Sequence, residues 1–220
     1  MNFELLIFDW DGTLMDSEAR IVACVEAAVE DLGLTSPGHD AIRNIIGLGL
    51  REAVHSLFPD ANERLHLDIA EHYRAHFFSS KKVPSELFEG AREVIERLYQ
   101  SGYMLAVATG KGRSGLNQAL DSTGLGAFFH ATRTADETFS KPHPEMLHQI
   151  LDELGIMPDQ ALMIGDTEYD LQMAANACIS SLGVDYGVHE RQRLLKHRPL
   201  ACLEKITEIP VWLEETRLID

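Results

Sequence analysis

Basic residues are scarce in this chain. Only 19 Lys and Arg stand against 35 Asp and Glu in 220 residues, a formal net charge of −16 at neutral pH. So acidic a surface repels nucleic-acid phosphates and anionic lipid headgroups, which argues against nucleic-acid and membrane partners. It suits solubility and a cationic cofactor. Cysteine is equally sparse: Cys24, Cys178 and Cys202 are odd in number, far apart and without a CxxC pair. That pattern argues against a disulfide framework or a thiolate metal site and fits a reducing cytosol. No apolar run approaches the ~18 residues of a membrane helix. The N-terminus lacks the basic and apolar segments of a signal peptide, so a cytoplasmic location is expected. Internal repeats and low-complexity tracts are also missing.

What is present is a rhythm of short apolar runs: Leu5–Phe8, Met104–Ala108, Ala161–Ile164 and Ile179–Val184. Continuous apolar runs of this length mark strands buried on both faces of a parallel sheet. Helical patterns cover Ala91–Gln100, Ser114–Ser122, Glu145–Leu154 and Leu171–Ala177, and Gly102, Gly124 and Gly155 stand where helix C-terminal caps belong. The alternation predicts an α/β fold with a doubly wound, mostly parallel, Rossmann-like sheet. Between Asp16 and Lys82 the pattern is helical only. Ile21, Val25, Ala28 and Leu32 share one face, as do Leu65, Ile69, Tyr73 and Phe77. The expected organisation is therefore an α/β core of residues 1–15 and 83–220 carrying an inserted all-helical cap domain, 16–82. Lys81–Gly90 is the return linker, and Asp185–Pro199 reads as a loop plus a short helix.

Ligands of a doubly wound sheet bind beyond the carboxyl ends of its strands. Asp9, Asp11 and Thr13 follow the first apolar run, and Thr109 and Gly110 follow the second. Asp166 and Asp170 follow the run Ala161–Ile164, and Lys141 precedes the helix at Glu145. Four carboxylates, an ammonium and hydroxyls should thus meet on one rim. Each has an ordinary explanation alone: Asp-Gly is a turn dipeptide, Thr109 a helix cap, Lys141 a solvated lysine, Asp166 and Asp170 acids at a helix start. Together they do not. Desolvated carboxylates at the end of a buried strand are costly unless paired or metal-bound, so this rim asks for a cation.

The pattern DxDGT at Asp9–Thr13, then Thr109, Lys141 and GDxxxD at Gly165–Asp170 resembles the four motifs of the haloacid-dehalogenase-like superfamily. The likeness spans essentially the whole chain. The helical insertion is similar to the C1-type cap of the phosphoglycolate-phosphatase-like branch. The resemblance implies a Mg²⁺-dependent phosphatase acting on a small-molecule phosphate ester through an aspartyl-phosphate. Asp9 would be the nucleophile and Asp11 the acid and base. Thr109 and Lys141 would hold the phosphoryl group, and Asp9, Asp166, Asp170 and the Asp11 carbonyl would hold Mg²⁺. Members that cleave carbon–halogen bonds lack the second aspartate, so Asp11 disfavours a dehalogenase. Elementary chemistry agrees. A carboxylate with a reference pKa near 3.9 needs no base at neutral pH, and its obstacle is repulsion from the phosphate. Hard oxygen ligands suit Mg²⁺.

Thr13, Gly110, Lys111 and Arg51 are the expected substrate-side residues. Arg51, in the run IIGLGLREAV with Gly47 and Gly49, lies where cap residues of the resembled family approach the substrate. Lys111 and Arg113 would line the mouth. His72 and His76 have zinc-like spacing but no third ligand in the sequence, and read as surface histidines. Trp10 is expected to point away from the aspartates into packing. The nearest alternative is a phosphomutase of the β-phosphoglucomutase type, which uses the same motifs. A receiver-type switch is about half this length and orders its acids differently.

Overall fold

A computed structural model describes residues 3–79 and 83–217. Lys81 and Lys82, at the start of the expected return linker, lie outside the described residues. The order of elements is β1 (Leu5–Phe8), β2 (Met15–Asp16), α1 (Glu18–Asp31), α2 (His39–Asn44), α3 (Leu50–Leu57), α4 (Glu63–Ser79), β3 (Glu86–Leu87) and α5 (Ala91–Gln100). Then come β4 (Met104–Thr109), α6 (Arg113–Thr123), β5 (Ala131–Thr134), α7 (Glu145–Leu154), β6 (Ala161–Gly165) and α8 (Glu168–Asn176). The chain finishes with β7 (Ser180–Val184), α9 (Arg191–Leu195), β8 (Cys202–Leu203) and α10 (Ile209–Arg217). Among the described residues no helix is long and apolar enough to cross a membrane.

Six strands form one parallel sheet in the order β5-β4-β1-β6-β7-β8. The winding runs outward from β1 through β4 to β5, then returns to β6 on the other side of β1. Leu5 is opposite Met104 on one side and Ala161 on the other. The sheet is buried on both faces because its side chains alternate between two apolar layers. Leu6, Phe8, Leu105, Val107, Leu162 and Ile164 pack with α5, α6 and α10. Leu5, Ile7, Ala106, Ala108, Ala161 and Met163 pack with α7 and α8. Trp10 is fully buried, as expected, with its indole N–H directed at Met15 Sδ and its ring edge-on to Phe129.

The fold departs from the sequence reading in three places. β5, with the sequence ATRT, is a short edge strand whose Arg133 is tied to Glu153 and Gln149. β8 extends the far edge by two residues just past the expected loop and helix of Asp185–Pro199, where no strand is expected. β2 and β3 pair antiparallel, Met15 with Leu87 and Asp16 with Glu86, as a separate two-stranded sheet that joins the two ends of the helical insertion. Helices α1 to α4 build their own apolar clusters, one around Val25, Val29 and Ile42 and another around Val54, Ile69 and Ala70.

Candidate active site

Asp9 is the first residue after β1, Thr109 the last of β4 and Asp166 the first after β6. Three adjacent parallel strands thus end on one rim beside the point where the winding reverses. The tight turn after Asp9 depends on Gly12, which has φ of 84°. A Cβ there would run into the Asp166 carboxylate, so only glycine lets the loop close over it.

Asp9, Asp166 and Asp170 are buried and each presents a carboxylate oxygen within 4.8 Å of the others. Lys141 is buried among them, its Nζ 2.7 Å from Asp9 Oδ1 and 2.6 Å from Asp170 Oδ1. The outer acids are held firmly. Thr13 Oγ1 donates to Asp166 Oδ1 at 2.8 Å and the Val188 N–H to Oδ2 at 2.8 Å. Asp170 forms a reciprocal cap on α8, accepting from the Thr167 N–H and hydroxyl at 3.1 and 2.6 Å. Asp9 is different, because its Oδ2 is buried with no hydrogen-bond partner.

This environment overrides reference acidities. Burial foremost, with the Asp170 and Asp11 carboxylates adding and Lys141 opposing, pushes the Asp9 carboxyl up to about 7. Asp9 is therefore not fully ionised at neutral pH on the protein's own charges, contrary to the expectation from its reference value. Burial and the charges of Asp9 and Asp170 likewise push Asp166 well up. Lys141 moves the other way from its burial: the Asp170 and Asp9 carboxylates outweigh desolvation and hold it above its ordinary value.

Above this floor lies a cavity of about 430 Å³. Asp9, Asp11, Thr109, Gly110 and Lys111 line it from below. Ile21, Val54, Tyr73, Phe77 and Arg51 line it from the helices above. Two glycines bring these halves together. The Gly49 N–H donates to Ser140 Oγ at 2.7 Å, next to Lys141. A Cβ on Gly110 would stand 2.5 Å from the carbonyl oxygens of Gly47 and Leu48.

Several candidate side chains are engaged in contacts that the sequence does not show. The Thr13 hydroxyl is spent on Asp166 and does not line the cavity. The Asp11 carboxylate stands outside the three-acid cluster: its Oδ1 accepts from Ser17 and meets Lys111 Nζ at 2.9 Å. Lys111, on the cavity lining, is mostly buried against Asp11 and the Phe77 ring. Arg113 turns away to Glu137 and Thr132. Arg51 borders the cavity but is largely exposed, 3.5 Å from Glu63. His72 and His76 both reach Asp31 Oδ2, at 3.1 and 2.6 Å.

Some contributors carry no signal in the sequence. Ser17 orients Asp11. Tyr186 donates its hydroxyl to the Thr13 carbonyl at 2.8 Å. His189 Nδ1 accepts from the Glu168 N–H at 3.0 Å, bracing the start of α8. All three lie in loops whose course a periodicity cannot give.

Residues 6–184 match the family model described as haloacid dehalogenase-like hydrolase. The chain belongs to that family. It falls in the phosphoglycolate-phosphatase-like branch, and it is an enzyme. It is 34% identical over 210 residues to a protein named probable phosphatase IndB from Dickeya dadantii, covering 93% of this chain and 91% of that one. It is 27% identical to a phosphoglycolate phosphatase from Colwellia psychrerythraea, over 96% and 97% of the two chains. A haloacid dehalogenase-like hydrolase from Bacteroides fragilis has the same fold, with a TM-score of 0.89 at 24% identity over 94% of this chain and all of that one.

The site of this hydrolase also fits a divalent cation. Its donors are oxygens only, three of them carboxylates within reach of one ion, and Asp9 Oδ2 is a buried oxygen in want of a partner.

Proposed function

We propose that this enzyme, a phosphoric monoester hydrolase, cleaves a small-molecule phosphate ester through an aspartyl-phosphate formed on Asp9. Mg²⁺ would be held by Asp9, Asp166, Asp170 and the Asp11 backbone carbonyl. The single observation that carries this reading is the unpartnered Asp9 oxygen at the foot of the cavity, flanked by a buried ammonium and two further carboxylates.

In this reading Lys141 and the Thr109 hydroxyl take the phosphoryl oxygens, and the Gly110 N–H supports them. Asp9 attacks phosphorus in line with the ester oxygen, which leaves with a proton from Asp11. Ser17 and Lys111 hold the Asp11 carboxyl where it can make that transfer. Asp11 then takes a proton from the water that hydrolyses the acyl phosphate, which restores Asp9 and frees inorganic phosphate. When bound, Mg²⁺ supplies the charge that offsets repulsion between Asp9 and the phosphate.

Residues 16–82 act as a cap over a core of 1–15 and 83–220. Its apolar wall excludes water and selects the leaving group, with Arg51 at the rim. The three free cysteines fit a cytoplasmic setting.

The test is phosphate release from a panel of metabolite phosphates, with Mg²⁺ or EDTA, by wild type and Asp9→Asn. Release that needs Mg²⁺ and is lost in Asp9→Asn is the expected result. Appreciable turnover by Asp9→Asn excludes Asp9 as nucleophile. Indifference to EDTA excludes the metal, and phosphoryl return to a sugar marks a mutase.

A further inference from the structure

The helical insertion holds a second group of potential ligands, remote in kind from the acidic rim. His55 lies in the last turn of α3, Glu63 opens α4, and His66 follows within its first turn. One ligand atom from each lies within 4.8 Å of the others. Glu63 Oε2 is 3.4 Å from His55 Nε2 and 3.9 Å from His66 Nδ1, and the two rings are 3.9 Å apart.

The decisive detail is at His66, which is 6% exposed. Its Nε2 is 2.8 Å from the Phe58 carbonyl oxygen, so the ring proton is assigned to Nε2 and Nδ1 carries a lone pair. That Nδ1 is buried, makes no hydrogen bond and faces Glu63 and His55. His55 Nε2 is also buried without a hydrogen bond. Unsatisfied buried nitrogens are rare, because each forfeits the hydration it had in water. An imidazole whose far nitrogen donates to a backbone carbonyl, leaving the near one free, has the arrangement that orients metal-bound histidines.

We infer that His55 Nε2, Glu63 Oε2 and His66 Nδ1 form a binding site for a transition-metal dication of the Zn²⁺ class. Two imidazoles and one carboxylate select such an ion over Mg²⁺, which prefers an all-oxygen shell. His55 and Glu63 are partly exposed, which leaves a path from solvent and room for water as a further ligand. The ion would clamp the end of α3 to the start of α4. Arg51, on the first turn of α3, already reaches Glu63 Oε1, so the clamp lies next to a residue bordering the catalytic cavity.

The experiment is titration with Co²⁺ in excess Mg²⁺, followed by visible absorption. The proteins are wild type, His55→Gln, Glu63→Gln, His72→Gln and Asp166→Asn, each verified as folded. Wild type, His72→Gln and Asp166→Asn should bind one equivalent, with the strong bands of low-coordinate cobalt, displaced by Zn²⁺. His55→Gln and Glu63→Gln should weaken binding by roughly tenfold or more. Imidazole nitrogen NMR with Zn²⁺ should shift His66 Nδ1 and leave Nε2 protonated. Absence of the band in wild type overturns the assignment. So does its persistence in both ligand variants, or its loss in His72→Gln or Asp166→Asn.

Discussion

Replacing Asp9 by Asn should make the protein more stable at alkaline pH in the absence of divalent cations. In the folded chain the Asp9 carboxyl is pushed from 3.8 to about 7, chiefly by burial. The folded state therefore keeps a proton that the unfolded chain has already lost. For a raised carboxyl the associated stability is complete below about pH 4 and declines as pH rises through 7. About three pH units at 1.36 kcal/mol each amounts to about 4 kcal/mol lost by pH 8. Asn keeps the shape without the charge. Lys141 does not become an orphan, because Asp170 Oδ1 stays 2.6 Å away, so the usual penalty for splitting a buried pair is largely avoided. Urea unfolding in EDTA should therefore show Asp9→Asn near wild type at pH 4 and more stable by up to about 4 kcal/mol at pH 8. Saturating Mg²⁺ should raise wild type at pH 8 more than it raises the variant. An Asp9→Asn protein no more stable than wild type at pH 8 in EDTA, or an advantage of equal size at pH 4, would refute the reasoning.

Lys141→Met should cost about 3–5 kcal/mol in urea unfolding at neutral pH, since it leaves buried carboxylates without their ammonium. Part of the loss should return with Mg²⁺. Gly110→Ala should lower kcat/KM and destabilise by about 1–3 kcal/mol, because its Cβ meets backbone carbonyls that cannot swing aside. Burial first, and Arg193 next, push His189 down to about 4. The folded state thus favours the neutral ring, so its stability is full above about pH 6.5 and is lost as pH falls toward 4. That loss should reach about 3 kcal/mol and be absent in His189→Gln, as measured by denaturation across that range.

The strands that carry chemistry were legible because they are buried on both faces. Leu5–Phe8, Met104–Thr109 and Ala161–Gly165 admit hardly anything but apolar side chains, and the polar residue that ends each run is conspicuous. β5 escaped notice since one flank is an edge, where Thr132 and Arg133 meet polar partners and no periodicity remains. β8 is two residues long and owes its strand character to Gly183 and Val184 alongside it. Asp9, Thr109, Lys141, Asp166 and Asp170 converge because the sheet order brings their strands and loops to one edge. The partners of Thr13, Asp11 and Lys111 could not be read, because each depends on a contact made across the fold. His55 and His66 sit on two different helices, so no single helical pattern joins them. Only the turn between α3 and α4 makes them neighbours.

The short pairing of β2 with β3 has an evolutionary corollary. The polypeptide enters the insertion at Met15 and leaves it at Leu87, and these two residues pair directly in a two-stranded sheet separate from the six parallel strands. Because those two points are fixed to one another, the parallel strands are indifferent to how much chain is spliced between them. An insertion there can lengthen, shrink or be swapped between relatives without shifting a single register in the layer that bears Asp9. Under the proposed function, selection can then rewrite the roof, and with it the choice of molecule, while the machinery beneath is inherited intact.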